Sequence, residues 1–240
     1  MGHMARDPGL LTGLKLAAAR PEELSASTRD QAVQSPGVVE IIGLGRKFGD
    51  HEVVSSLDLS LAPGERVAFW GPNGSGKSTV LRCVAGTLFP SRGRVLVNGF
   101  TAGTLEARRA VGASLAQDRS FYLRLTGHVN LLFFARLHSA SEREAERRVR
   151  ALEEELELED IAAERMDRCS TGMVQQLGLA RALLGNPAVI LLDEPTRSLD
   201  EDARGRLWAA LQRRPAVATL VATHLKEDLE RCDWRIVFPC

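Results

Sequence analysis

No sign of charge dominates this chain: lysine plus arginine and aspartate plus glutamate each count 31, so the formal net charge is zero. That balance excludes an overall basic field of the kind that holds nucleic acid or anionic lipid, leaving only local patches. Long hydrophobic runs are also missing, and none approaches the length of a membrane span. The N-terminus lacks the basic, then apolar, then small-residue order of a secretory signal. Together these absences predict a soluble, cytosolic chain. Cysteine is scarce: Cys83, Cys169, Cys232 and Cys240 form no C-x-x-C and no Cys/His pairing. This argues against a zinc site and a disulfide framework and predicts reduced, mostly structural thiols. What is present is ordinary for a globular protein: 240 residues, 44% hydrophobic and 26% charged, enough for one large or two small domains with ample core.

Against this plain background stands Gly71-Pro72-Asn73-Gly74-Ser75-Gly76-Lys77-Ser78-Thr79, a complete G-x-x-x-x-G-K-[ST] phosphate loop. A triphosphate needs several donors converging on one concave surface. Glycines at 71, 74 and 76 let backbone N–H groups approach without a Cβ in the way. Lys77 then reaches the β- and γ-phosphates, and Ser78 is a ligand for Mg²⁺. Arg66–Phe69 with Trp70 reads as a buried strand leading into the loop. Residues 78 to 86 read as a helix whose N-terminus points at the anion. A glycine-rich turn without a nucleotide is the plainer alternative, and the strand and helix on either side weigh against it.

Met1-Gly2-His3-Met4 has the look of an expression-vector remnant. Residues 5 to about 37 are rich in Pro, Ser and Ala with no sustained period, and read as a mostly disordered extension. Leu10 to Leu16 could alternatively form a short amphipathic helix. From Val38 the pattern changes to β-rich runs at 38–42, 53–61 and 66–69, then 94–97, which read as a mixed sheet around the loop. Residues 125 to 168 read as helical. The charge-laced helix from Ser141 to Glu159 is expected to be a solvated face with i,i+4 pairs rather than a docking site. A second half follows, with helix 174–184, strand 188–192, helix 201–213, strand 217–222 and a last strand 234–238.

Ala188-Val189-Ile190-Leu191-Leu192-Asp193-Glu194 is an apolar run suited to a strand buried on both faces, ending in two carboxylates. Carboxylates at the carboxyl end of such a strand lie where open α/β sheets bind ligands. Asp193 is placed to hold Mg²⁺ through water, and Glu194 to polarise the attacking water as general base. A surface strand end would carry the same pair, but the phosphate loop upstream favours the chemical reading.

These residues resemble one family closely, the nucleotide-binding ATPase subunits and domains of ABC transporters, over about residues 38 to 238. Cys169-Ser170-Thr171-Gly172-Met173 stands where that family has its signature, and 175–183 resembles the usual helical continuation. The resemblance implies that Ser170 and Gly172 contact the γ-phosphate of ATP on the opposite subunit. Thr171 and Met173 depart from the commonest Gly and Gln, which bears on contacts near position 173. Gln117 matches the glutamine loop that reaches Mg²⁺ and the attacking water. Ser198-Leu199-Asp200 resembles the loop that crosses the dimer interface. His224 matches the switch histidine at the γ-phosphate, and Phe48 falls where an aromatic stacks on adenine. Read alone, His224 would be surface or core decoration and Phe48 core. His51, His128 and His138 reveal no partner by spacing and default to the surface, while Trp70, Trp208 and Trp234 read as packing.

The implied fold is α/β: a P-loop NTPase of the ABC ATPase type, with a RecA-like core, an antiparallel β subdomain and a helical signature subdomain at about 118–172. The implied cofactors are ATP and Mg²⁺, bound by Phe48, Gly71, Asn73, Gly74, Ser75, Gly76, Lys77, Ser78, Thr79, Ser170, Gly172 and Asp200. Ser78, Gln117 and Asp193 serve the metal, and Lys77, Gln117, Glu194 and His224 serve hydrolysis. The working unit would be a head-to-tail dimer, a homodimer or a pair with another ATPase subunit, sandwiching two ATP molecules. It would dock on separate transmembrane permease subunits at the inner face of the cell membrane, with no nucleic acid partner. The stretch 119–127, whose aromatics are expected to be exposed as a contact patch, lies where that docking occurs. That stretch, with Ser170-Thr171-Gly172-Met173, looks more like ATPases of ABC-2 type exporters than of nutrient importers. The rival reading is a soluble ABC ATPase acting on DNA or ribosomes, disfavoured by the single set of motifs, the absence of a large insertion between Lys77 and Ser170, and the lack of a basic surplus. A third is an inactive regulatory module, against which the intact Lys77, Asp193, Glu194 and His224 speak. The chain stops at Cys240, whereas most relatives are expected to continue with further sheet and a helix.

Overall fold

The computed structural model describes residues 18–19, 37–115 and 121–239. Two sheets organise them. Strands β2 (Val39–Phe48), β3 (His51–Leu61), β5 (Arg92–Val97) and β6 (Phe100–Thr101) form an antiparallel sheet in the order β3-β2-β5-β6. The other sheet runs β1-β10-β4-β9-β8-β7. It contains β1 (Ala18–Ala19), β4 (Arg66–Trp70), β7 (Val111–Ser114), β8 (Val189–Asp193), β9 (Ala218–Thr223) and β10 (Trp234–Val237). All its pairs are parallel except β1 on β10.

The single mixed sheet expected over 38–97 is therefore corrected. Strand β4 leaves its sequence neighbours and pairs with β9 and β10, because its side chains Val67, Ala68 and Phe69 are fully buried and need cover on both faces. Strand β3 instead alternates buried with exposed positions from Leu57 to Leu61, as one-sided packing requires. Strand β2 runs six residues past the expected end at 42, and the remaining expected elements fall within a few residues of their predicted bounds. Strand β7 escaped the sequence reading, since Val-Gly-Ala-Ser carries too little apolar signal. The extension at 5–37 and the alternative helix at 10–16 lie outside the described residues, apart from Ala18–Ala19, whose pairing with Ile236 and Arg235 lengthens the sheet at that edge.

Helices flank the parallel sheet. α1 (Lys77–Val84), which follows the phosphate loop, buries Val80, Leu81 and Val84 in the first core, between the two sheets. α3 (Gly127–Arg136), α4 (Glu142–Leu156), α5 (Glu159–Ala163), α6 (Thr171–Leu183) and α7 (Glu201–Gln212) gather around a second core. Strand β8 explains why two cores are needed: Val189 and Leu191 enter the first, Ile190 and Leu192 the second. Each such leucine or isoleucine contributes about 1.5–3 kcal/mol by burial. Short helices α2 (Leu105–Arg109) and α8 (Lys226–Leu229) complete the chain.

Helix starts are chemically marked. Ser141, Ser170 and Asp200 accept hydrogen bonds from the backbone N–H of Glu144, Met173 and Ala203 and cap α4, α6 and α7. Helix α4 carries the expected i,i+4 pairs, Glu144–Arg148 and Glu146–Arg150, both at 2.6 Å. It is more than a solvated face, however. Glu155 accepts from Arg213 and Arg214 beyond α7, and Glu157 from Arg206. These guanidinium groups hold the Glu155 carboxyl below the usual range, Arg214 contributing most.

One histidine, His128, corrects the surface reading, whereas His138 is exposed as expected. His128 places Nδ1 2.8 Å from the buried Glu153 carboxylate and Nε2 3.4 Å from Glu146, bridging α3 to α4. His138 packs against Gly185, and partial burial pulls its imidazole below the ordinary range. His51 is exposed, while Trp208 and Trp234 are buried as expected. Cys83, Cys169 and Cys232 are free thiols; burial pushes Cys83 up to about 11 and Cys232 to about 12. Cys240 lies outside the described residues. No helix among the described residues is long and apolar enough to cross a membrane.

Candidate functional site

Three parallel neighbours, β4, β9 and β8, end at one level: Trp70 pairs with Thr223, and Ala222 pairs with Asp193. The residue after β4 opens the phosphate loop, the residue after β8 is Glu194, and the residue after β9 is His224. Backbone register thus brings together groups more than 140 positions apart in the chain. Beside them opens a cleft of about 260 Å³, lined by Asn73, Gly74, Gly76, Lys77, Ser78 and Thr79 of the phosphate loop together with Asp193, Glu194 and Arg197.

The loop's conformation depends on its glycines. Gly76 has φ 99°, and a Cβ there would lie 3.0 Å from the Val53 carbonyl oxygen at the start of β3. Lys77 is 5% exposed, and its Nζ donates to the carbonyls of Gly71 (2.8 Å) and Pro72 (2.7 Å), curling the loop around the ammonium. Burial draws this ammonium below the usual lysine range, while Glu194 and Asp193 act in the opposite direction. The Ser75 hydroxyl is buried without a hydrogen-bond partner. An unanswered hydroxyl beside a buried cation and an α-helix N-terminus suits an oxyanion such as a phosphate group.

Across the cleft, Asp193 is 6% exposed at the end of β8. Glu194 has φ 51°, a left-handed conformation costing about 1–3 kcal/mol outside glycine. Two hydrogen bonds hold it there: its N–H donates to Ala222 O at 2.8 Å, and its carbonyl accepts from Gln175 Nε2 at 2.6 Å. Glu194 Oε2 lies 2.8 Å from His224 Nδ1, off the line of a hydrogen bond, so this buried oxygen is left without one. Such an oxygen is suited to accept from a water drawn into the cleft. The hydroxyl of Ser78 and the Asp193 carboxylate supply hard oxygen donors that fit Mg²⁺ shared with phosphate oxygens. Among the described residues no cluster of three or more His, Cys, Asp or Glu could cage a metal unaided.

Other predicted residues lie apart from this cleft. Phe48 is 48% exposed at the end of β2, with the Arg46 guanidinium 4.4 Å from its ring centre. Ser170 and Gly172 stand at the start of α6 and do not line the cleft. A Cβ on Gly172 would lie 2.5 Å from Ser198 O, so the signature packs on the 198–200 loop of its own chain. Asp200 caps α7 and is also absent from the cleft lining. Gln117 lies outside the described residues. In the 119–127 stretch, Arg119 and Ser120 are likewise outside. Phe121 corrects the expectation of exposed aromatics, being 8% exposed and packed edge-on against Phe134, whereas Tyr122, Leu123 and Leu125 are exposed beside Phe133.

Sequence reasoning assigned no role to Gln175 beyond the helical continuation, or to Arg197, Thr196, Thr223 and Asp228. Their contacts arise from strand register, and no local spacing marks them.

Comparison with known proteins agrees with this geometry. The family model described as ABC transporter matches residues 54–197. The Nod factor export ATP-binding protein I of Rhizobium johnstonii is 37% identical over 203 residues, 83% of this chain and 65% of that protein. An uncharacterized ABC transporter ATP-binding protein of Bacillus subtilis, YdbJ, is 35% identical over 207 residues, covering 83% and 66%. The chain spans between 62% and 66% of the length of the curated relatives it matches. A solved ATP-binding cassette, described as dimeric, post-hydrolysis and bound to ADP and Pi, superposes with TM-score 0.74 at 27% identity, over 83% of this chain and 94% of that one. An ATP-binding subunit of an ABC transporter gives 0.76 at 29%, over 84% and 85%.

Proposed function

This chain belongs to the ABC transporter family, and on that premise we propose that it is the subunit that binds and hydrolyses ATP to drive a transporter, with an exporter favoured. The observation that carries the reading is the meeting of the phosphate loop, Asp193, Glu194 and His224 at the carboxyl ends of three adjacent parallel strands.

On ATP binding, Lys77 Nζ exchanges its Gly71 and Pro72 carbonyls for β- and γ-phosphate oxygens, and Ser75 finds the acceptor it lacks. The loop amides from Gly71 to Thr79 complete the cradle, and the exposed Phe48 ring offers a platform for adenine. Ser78, Asp193 and Gln117 would hold Mg²⁺, which supplies neutralisation of charge on the phosphate oxygens. Glu194 Oε2 accepts a hydrogen bond from water and aims it at the γ-phosphorus, while His224 and Lys77 face the charge that spreads over the departing phosphoryl group.

Ser170, Gly172 and Asp200 are assigned to the ATP of a second ATPase subunit, since the start of α6 does not enter its own cleft. The dimeric description of the related cassette supports that arrangement. Residues 38–240 constitute the ATPase domain, with the helical part at about 118–172. The exposed Tyr122, Leu123 and Leu125 form the contact with separate membrane-spanning subunits on the cytoplasmic side. The Nod factor export names of several relatives support export.

Glu194→Gln tests the reading directly. It should retain ATP, accumulate as an ATP-bound dimer on size-exclusion chromatography and lose hydrolysis by about 100-fold or more. Steady-state hydrolysis at the wild-type rate would remove Glu194 from its role. Recovery of the protein from native membranes in mild detergent should yield a multi-span partner; ribosomes or nucleic acid instead would favour a soluble ATPase.

A further inference from the structure

We propose that Asp228 is a positioning residue, whose buried carboxylate ties the loop after Glu194 to the end of β9 before His224 and thereby sets the geometry of the Glu194–His224 pair. The inference rests on the ATPase reading above and adds a residue to it.

Asp228 is 0% exposed, and among the described residues no lysine or arginine lies within ion-pair distance of it, Arg204 acting only from farther away. Its partners are hydroxyls. Thr196 Oγ1 donates to it, 2.8 Å from Oδ1 and 2.9 Å from Oδ2, and Thr223 Oγ1 donates to Oδ2 at 3.0 Å. Both threonines are buried, at 1% and 0% exposure. Burying a carboxylate costs several kcal/mol, and an apolar group of similar shape would fill the same space with less penalty. What an apolar group cannot do is fix two separate backbone segments to a common point by directed bonds.

The segments so joined are the ones that carry the reacting side chains. Thr196 stands two residues after Glu194, and Thr223 one residue before His224. The Thr223 hydroxyl also accepts from the N–H of Leu225 at 3.0 Å, so the backbone is held on both sides of His224. The N–H of Glu194 meets Ala222 on the same strand. Behind Asp228, Cys232 Sγ approaches the Asp228 carbonyl at 3.5 Å. Burial keeps that thiol protonated, with its value pushed up to about 12, and so able to donate. The result is a closed frame, Glu194 to Thr196 to Asp228 to Thr223 to His224, across which two side-chain atoms stand 2.8 Å apart. A displacement of about 1 Å at a reacting group can cost on the order of 100-fold in rate, so such a frame bears directly on turnover.

The test compares steady-state ATP hydrolysis by wild type, Thr196→Val, Thr196→Ser, Asp228→Asn and Glu194→Gln, with ATP affinity and thermal unfolding measured for each. Thr196→Val keeps the shape and removes the bonds. It should lower kcat per ATP-loaded site about 10- to 100-fold while ATP affinity stays within about twofold. Thr196→Ser keeps the hydroxyl and should restore turnover. Asp228→Asn should lose kcat in the same selective way. The proposal is overturned if both Thr196→Val and Asp228→Asn turn over like wild type. It is equally overturned if they lose kcat and ATP affinity in proportion to a fall in folded protein, the mark of a merely structural brace. Glu194→Gln separates the two levels: if it hydrolyses normally, the ATPase reading of Glu194 has failed and the positioning role falls with it. If it is inactive while Thr196→Val and Asp228→Asn are both unimpaired, only the positioning role has failed.

Discussion

The carboxyl edge of the parallel sheet and the helical region from α3 to α5 solve opposite problems. At the sheet edge, buried charge and backbone strain are concentrated in a few residues: Lys77 at 5% exposure, Asp193 at 6%, and Glu194 at φ 51°. Each is unfavourable alone; Lys77 is held by the loop carbonyls of Gly71 and Pro72, and Glu194 by Ala222 of β9 and Gln175 of α6. In the helical region the charges are mostly surface pairs, the buried Glu153 beside His128 excepted, and large apolar side chains such as Tyr122 at 50% and Leu123 at 63% face solvent. One region stores free energy in a fixed arrangement aimed at a small ligand. The other keeps a modestly tied surface suited to a large partner. On the proposed function, one chain separates chemistry from docking: strand ends fix atoms, and helices present area.

That division can be broken at the chemical end first. Lys77→Ala removes the buried cation and should reduce ATP binding and hydrolysis by about 100-fold or more, measured by calorimetry and phosphate release. The fold should survive, since the loop carbonyls of Gly71 and Pro72 lose a donor but remain beside the open cleft. A variant that unfolded would show that Lys77 is needed for the loop itself.

The next effect tests the helical region's own core. Leu131→Ala deletes a fully buried side chain of α3 and should cost about 2–5 kcal/mol in chemical denaturation. ATP affinity should be retained under conditions where the protein is folded. Loss of nucleotide binding in the folded variant would mean that the two regions are not separable.

A smaller effect concerns the ion pairs between α4 and the end of α7. Arg214, and then Arg213, holds the Glu155 carboxyl below its usual range. A carboxyl whose folded value is depressed adds stability above its unfolded value, and that stability is lost as pH falls through the folded value. Glu155→Gln should therefore destabilise at neutral pH by about 1 kcal/mol or less, because the cluster is partly solvated. The difference from wild type should vanish in strong acid. A constant difference at every pH would point to packing instead of charge.

The smallest expected change in the isolated chain comes from Tyr122→Ala. Its ring is half exposed and meets Phe133 edge-on at 5.2 Å, so stability should move by about 0.5 kcal/mol or less. Its effect should appear only with the membrane subunits present, as weaker co-purification. Unchanged association would move the docking surface elsewhere.

Residue types and spacing made the phosphate loop legible, because nine consecutive residues carry their own geometry: glycines open the backbone and lysine supplies the charge. The apolar run ending at Asp193-Glu194 was legible for a similar reason, since burial on both faces leaves a continuous hydrophobic string. Helix starts at Ser141, Ser170 and Asp200 could be approached from local pattern. By contrast, the assignment of β4 to the parallel sheet depends on partners more than 140 residues away, and β7 has no local signal at all. His128 looked like a surface residue until Glu146 and Glu153 arrived from another helix. The frame of Thr196, Thr223 and Asp228 exists only because β8 and β9 lie side by side.

The sequence alone therefore determined where the phosphate-loop motif lies and which strand carries the carboxylates, because those features are written in contiguous residues. The tertiary structure decided where they meet and what holds them at 2.8 Å. Strand order and register are settled by the burial of two cores at once, and no short stretch of chain encodes that sum.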